Sequence, residues 1–88
     1  MLITYDHDNL RKHKVSPEEA DEVLANDPFD FELPQSHSGN VRVMFVGFTY
    51  LGRLLEIGVE YRSAYHEHIF HGMRATRLYR LAFMKRKR

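Results

Sequence analysis

The sequence predicts an α+β domain, in which two short helices lead into an antiparallel β-meander and one helix follows it. Three observations carry this expectation. Ser16-Pro17-Glu18-Glu19 is a helix start followed by apolar residues at helical spacing. Two later runs, Phe29–Leu33 and Leu55–Tyr61, alternate with period two. Near the end, Ala75, Leu78, Tyr79, Ala82 and Phe83 follow the i, i+3, i+4, i+7, i+8 stripe of an amphipathic helix.

Each element has a local cause. Leu2 to Tyr5 reads as a short strand, and Asp6 as the cap of a short helix through Asn9, Leu10 and Lys12, because a carboxylate there accepts from a free amide. Ser16 caps the second helix, with Pro17 at its first position and Glu19 completing a capping box, so the helix runs from Pro17 to Ala25. Pro28 disfavours helical geometry at Asp27 and ends it. Phe29-Asp30-Phe31-Glu32-Leu33 is a half-buried strand closed by Pro34, and Gln35 to Asn40 is a polar loop. Val41 to Val46 is the next strand, Thr49-Tyr50-Leu51-Gly52 a hairpin turn, and Arg53 to Tyr61 the returning strand. On that strand Glu56, Gly58 and Glu60 share the face opposite Leu55, Ile57, Val59 and Tyr61. Tyr65 to His71 is a further strand. The sheet is expected to be covered on one face, with Phe29, Phe31, Phe45, Phe70 and Phe83 in the core.

At 88 residues there is material for one core, taken as residues 1–84, with 85–88 a fraying basic tail. The absence of cysteine excludes a disulfide framework, a thiolate metal site and a cysteine nucleophile. No apolar run is long enough for a membrane span and the start is not that of a secretory signal, so a cytoplasmic protein without membrane contact is expected. The net charge of +1 conceals an asymmetry. Residues 1–44 carry four Lys/Arg against nine Asp/Glu, a balance of −5; residues 45–88 carry nine against three, a balance of +6. After Glu67 there is no acid, while Arg74, Arg77, Arg80, Lys85, Arg86, Lys87 and Arg88 follow. Such a half suits a polyanion or an acidic protein, or is simply solvated.

No dinucleotide fingerprint, P-loop, nucleophile elbow or HExxH motif is present, and no cofactor is expected. His66 and His68 share a strand face and, with Glu56 or Glu60, offer a weak zinc alternative. Metal-independent RNA cleavage requires a base for the 2′-hydroxyl, an acid for the leaving 5′-oxygen and cations for the phosphorane. His13, His68 and His71 offer the proton transfer, and Arg42, Arg53 and Arg74 the charge. The bland alternative stays open: Arg42 faces solvent and His71 is a satisfied polar residue at a strand end. Strand alternation puts His68 and His71 on opposite faces unless the strand bends near Gly72. Of Tyr61, Tyr65 and Tyr79, Tyr65 is the best placed to stack on an unpaired base.

Tyr5-Asp6, Asn9 to His13, Val15 to Ala20, Asp27-Pro28, Gly52 to Leu55 and Ala75-Thr76 follow one another in an order that resembles the BrnT family of ribonuclease toxins. Tyr5-Asp6 followed by Asn9-Leu10-Arg11-Lys12-His13 is similar to the family's opening, and Lys14-Val15-Ser16-Pro17-Glu18-Glu19-Ala20 to its Gly-Val-Ser-Phe-Glu-Glu-Ala, with Lys14 in place of the glycine. Asp27-Pro28, Arg42, Gly47, Gly52-Arg53-Leu54-Leu55, Ile69 and Ala75-Thr76 fit the remainder. In the closing motif His68 stands for the first arginine, His71 for the serine and Met73 for the second arginine.

The resemblance implies a RelE-like fold, metal-independent RNA cleavage and neutralisation by a BrnA-like antitoxin, with DNA contacted only through the antitoxin complex. Residues expected at the chemistry are His13, Arg42, His68, His71 and Arg74; those expected to hold RNA are Lys12, Lys14, Arg53, Tyr65, Arg77 and Arg80. The alternative is a protein of the same fold whose nuclease site has decayed and which retains only partner binding. Leu81 and Met84 lie off the helical stripe and suit a partner contact as well as a broad core. A homo-oligomer is compatible with a chain this small.

Overall fold

The computed structural model describes residues 1–86. The elements run β1 (Leu2–Tyr5), α1 (His7–Lys12), α2 (Pro17–Ala25), β2 (Phe29–Glu32), β3 (Val41–Phe48), β4 (Leu54–Ser63), β5 (His66–Arg74) and α3 (Arg77–Arg86). The architecture is α+β. Both N-terminal helices start as their sequences dictate: the Asp6 side chain accepts from the Asn9 amide, and Ser16 and Glu19 form a reciprocal capping box.

The sheet differs from a pure antiparallel meander. Its order is β1-β5-β4-β3-β2, and β1 pairs with β5 in parallel, Leu2 opposite His66 through Tyr5 opposite Ile69. Parallel neighbours require a long crossover. Here almost the whole chain lies between them, so nothing local to β1 reveals its partner. The other pairs are antiparallel. Strand ends also shift: β3 continues to Phe48, β4 starts at Leu54 and reaches Ser63, and β5 extends to Arg74.

Both faces of the sheet are covered, where one was expected. On one face Leu10, Val15, Ala20 and Val23 from α1 and α2 pack on Leu55, Ile57, Val59 and Ile69. Gly72 permits this contact, since a Cβ there would strike the Leu10 side chain. Burying a residue such as Leu10, Leu55, Ile57 or Ile69 contributes about 1.5–3 kcal/mol. On the other face Phe83 and Tyr79 of α3 cover Met44, Val46, Phe29, Phe31, Phe48 and Leu54. That cover lies over the β2–β3 side; on the β4–β5 part of the same face Glu56 and Gly58 are buried and His68, Phe70 and His71 half-buried.

α3 also departs from the expected stripe. The helix begins only at Arg77, so Ala75 is buried ahead of it, and the inward phase is set by Tyr79 and Phe83. Leu78 therefore points outward and is 73% exposed, with Leu81 and Met84 beside it. Lys85 and Arg86, expected in a fraying tail, are helical; Lys87 and Arg88 lie outside the described residues. No helix among the described residues is long and apolar enough to cross a membrane.

Candidate functional site: two histidines beside the β4–β5 sheet face

The β4–β5 part of that face is shaped by an irregularity in β5. His71 lies opposite Gly58, Ile69 opposite Val59 and His68 opposite Glu60, so Phe70 is an extra residue on its strand. This is a β-bulge, and it resets the alternation. His68 and His71 consequently share a face, the one carrying Gly58 and Glu60, and the simple alternation that separated them is corrected. Gly58 is part of the device: a Cβ there would sit 2.7 Å from the Phe70 ring, so only glycine leaves the ring room to lie across β4. Arg42, opposite Glu60, joins the same face and places its guanidinium 5.0 Å above the Phe70 ring. Arg42 Nη2 also donates to the Pro34 carbonyl at 3.3 Å. Phe70, expected in the core, is thus a half-buried floor under a cation.

His71 is held by a carboxylate that the sequence placed only as a zinc alternative. Its Nε2 lies 2.9 Å from Glu56 Oε2, and Glu56 Oε1 accepts from the Thr76 amide at 2.7 Å. Glu56 is 3% exposed. Burial alone would push its pKa up, but the bonds from His71 and Thr76 outweigh it and hold the carboxyl below its ordinary value. With Nε2–H donating to Glu56, Nδ1 is the nitrogen left to act. The available signal was a glutamate between Leu55 and Ile57 in a buried strand, which demands a partner.

His13 meets His71 although the two lie 58 positions apart in the chain. Their ring centroids are 6.1 Å apart, edge to face. The α1 helix delivers His13 there, anchored by Leu10 in the core and by Asn9 Oδ1, which accepts from the Gly72 amide at 3.0 Å. Lys12 and Lys14 flank His13 and are exposed. Lys14 closes the helix end in a left-handed conformation, φ 57°. Glycine adopts that geometry without strain, whereas the lysine side chain makes it costly.

His68 and His66 are tied to β1. Thr4 Oγ1 lies 2.7 Å from His68 Nδ1 and 2.9 Å from His66 Nε2. Burial lowers the His68 pKa, with nearby Arg62 adding to the effect, so the ring is neutral at pH 7. Among the described residues no three His, Asp or Glu side chains come together as a metal site.

The remaining sites separate from the histidines. Arg74 lies opposite Leu55, on the face away from His71, so it is not the cation beside that ring. It lines another cleft with Arg53, Arg80, Gly52, Leu54 and Ala75. Arg53 Nη1 there donates to Glu19 Oε2 at 2.7 Å and to the Lys14 carbonyl at 3.2 Å, tying the hairpin to the start of α2. Tyr65, in the β4–β5 turn, is 76% exposed, whereas Tyr61 and Tyr79 pack on the two cores. Arg77 is exposed on α3. Compared with known proteins, the chain matches no family model and no curated protein.

Proposed function

We propose that this protein is a metal-independent endoribonuclease acting as the toxin of a bacterial toxin–antitoxin pair, a BrnT-like chain of RelE-like fold. The observation that carries the reading is the His13–His71 pair, with Glu56 orienting one of its rings. His71 Nδ1 removes the proton from a ribose 2′-hydroxyl, whose oxygen attacks the adjoining phosphorus. His13, protonated, gives its proton to the departing 5′-oxygen. The O2′–P bond forms and the P–O5′ bond breaks, leaving a 2′,3′-cyclic phosphate and a 5′-hydroxyl. Arg42 supplies the cation on this face, and Lys12, Lys14, Tyr65, Arg77 and Arg80 attract and hold the chain. His68 is a contact residue in this reading, since its Nδ1 is engaged by Thr4 and it stands opposite Glu60 where His71 stands opposite Gly58, about 7 Å along the sheet at about 3.3 Å per residue.

The antitoxin is an acidic protein of the BrnA kind that masks the basic half, and any operator DNA is contacted through that complex. Expression in bacterial cells without the partner tests the reading. Wild type is expected to arrest growth, and Arg42→Ala, His68→Ala or His71→Ala to relieve it; harmless wild-type expression overturns it. One observation favours a second reading, a decayed nuclease that only binds its partner: Leu78, Leu81 and Met84 form an exposed apolar strip among the α3 cations. Tight partner binding without RNA cleavage by purified protein supports that alternative.

A further inference from the structure

We propose that the cleft between the β3–β4 turn, the end of β5 and α3 is a nucleotide-sized site for a phosphomonoester, separate from the histidine pair. Gly52, Arg53, Leu54, Arg74, Ala75 and Arg80 line a volume of about 410 Å³. This lies within the roughly 300–1,000 Å³ of small-molecule sites and suits one nucleotide rather than a folded chain. Three arginines line it from three different segments, Arg53 from the β3–β4 turn, Arg74 from the end of β5 and Arg80 from α3. Arg74 and Arg80 form no ion pair among the described residues, and Arg53 spends only Nη1 on Glu19 and Lys14. No acidic residue lines the cleft. Cations of like sign held together are repelled unless an anion joins them, and guanidiniums stay charged at any physiological pH.

The charge count selects the anion. One Arg53 charge is offset by Glu19, which leaves the two of Arg74 and Arg80 to match the second ionisation of a terminal phosphate, near pH 6. A bridging phosphodiester carries only one charge. The walls from Leu54 and Ala75 add apolar surface beside the cations, as a nucleoside needs and inorganic phosphate does not. The ligand class is therefore a phosphomonoester on a nucleoside, either a free mononucleotide or the 5′-phosphate of an RNA chain. The site shares Arg80 with the RNA-holding residues proposed above and does not depend on cleavage at His71.

Calorimetric titration of the full chain with adenosine 5′-monophosphate, adenosine, a 5′-phosphorylated dinucleotide and the same dinucleotide ending in a 5′-hydroxyl tests this. Binding of the phosphorylated ligands at least tenfold tighter than of their unphosphorylated counterparts is expected, weakening as pH falls below 6. Arg74→Ala and Arg80→Ala should each weaken it about tenfold. Arg11→Ala, an equal change of net charge on α1, should leave it unchanged. Preference for the dinucleotide assigns the site to chain ends, and preference for the monophosphate to free nucleotide. Equal binding with and without phosphate, or equal losses in Arg11→Ala and Arg80→Ala, overturns the site. Because His13 and His71 take no part, loss of RNA cleavage in their alanine variants with nucleotide binding intact separates this site from the nuclease reading.

Discussion

His68 and His71 face the same way from β5 although they lie three positions apart, because Phe70 is an extra residue in the ladder opposite Gly58 and Val59. In a regular strand they would point to opposite sides of the sheet. The bulge thus decides whether the face beside His13 presents one imidazole or two. It requires Gly58, since the Phe70 ring occupies the space a Cβ would take.

Replacing that glycine tests the bulge directly. Gly58→Ala should destabilise the fold by about 1–3 kcal/mol through overpacking. The Phe70 ring should shift and the Arg42 contact loosen, which chemical denaturation and the aromatic NMR resonances will report. An unchanged midpoint with unmoved Phe70 resonances would contradict the packing described.

Glu56→Gln separates orientation from charge. The amide must keep its oxygen on the Thr76 N–H and so presents its NH₂ to His71, forcing the ring into the tautomer with Nδ1–H. RNA cleavage should fall about 10²-fold or more, within the range that a lost proton-transfer group produces. Stability should fall by about 1–2 kcal/mol, since a hydrogen bond to a charged group is replaced by a neutral one. Cleavage retained at the wild-type rate would remove Glu56 from the mechanism.

Stability should decline in two steps as pH falls. The folded state holds His68 below its ordinary pKa, so its neutral form is favoured and the loss begins as pH drops through about 6.5, the unfolded value, and is complete below the folded one. Glu56 is also held low; its contribution is present above the unfolded carboxylate value, about pH 4.3–4.5, and disappears as pH falls through the folded value. Thermal unfolding of wild type and His68→Asn across pH 3–8 checks the assignment. The first step should vanish in the variant and the second remain.

Lys14→Gly should stabilise the protein by about 1 kcal/mol, because a lysine at φ 57° carries the strain of a left-handed backbone. Ser16→Ala should cost about 1 kcal/mol through loss of the α2 cap. Denaturant midpoints measured together give the two opposite signs.

Much of the fold was legible in the sequence because its causes are local. The capping box at Ser16, the stop at Pro28 and the turn at Thr49–Gly52 each follow from residues within a few positions. The parallel pairing of β1 was not, since its partner lies more than 60 residues away. The α3 phase is not legible there, because Ala75 and Leu78 fit the stripe, yet the helix starts too late for both to face inward. The site is legible as a set of residue types, His13, His71 and Arg42, but their grouping depends on a bulge that period-two alternation does not reveal. The ladder also removes Arg74 from His71 and sends it to the arginine cleft.

The most direct measurement is cleavage of a defined single-stranded RNA by purified protein, with chelator present, comparing wild type, His13→Ala, His71→Ala and the double variant. Wild type should leave 2′,3′-cyclic phosphate and 5′-hydroxyl ends. Each single variant should lose about 10²–10⁴-fold, and the double little more than either, because the two rings act in one step. Wild-type cleavage undiminished in the double variant, or no cleavage by wild type under any of these conditions, would contradict the assignment of His13 and His71 as the acid–base pair.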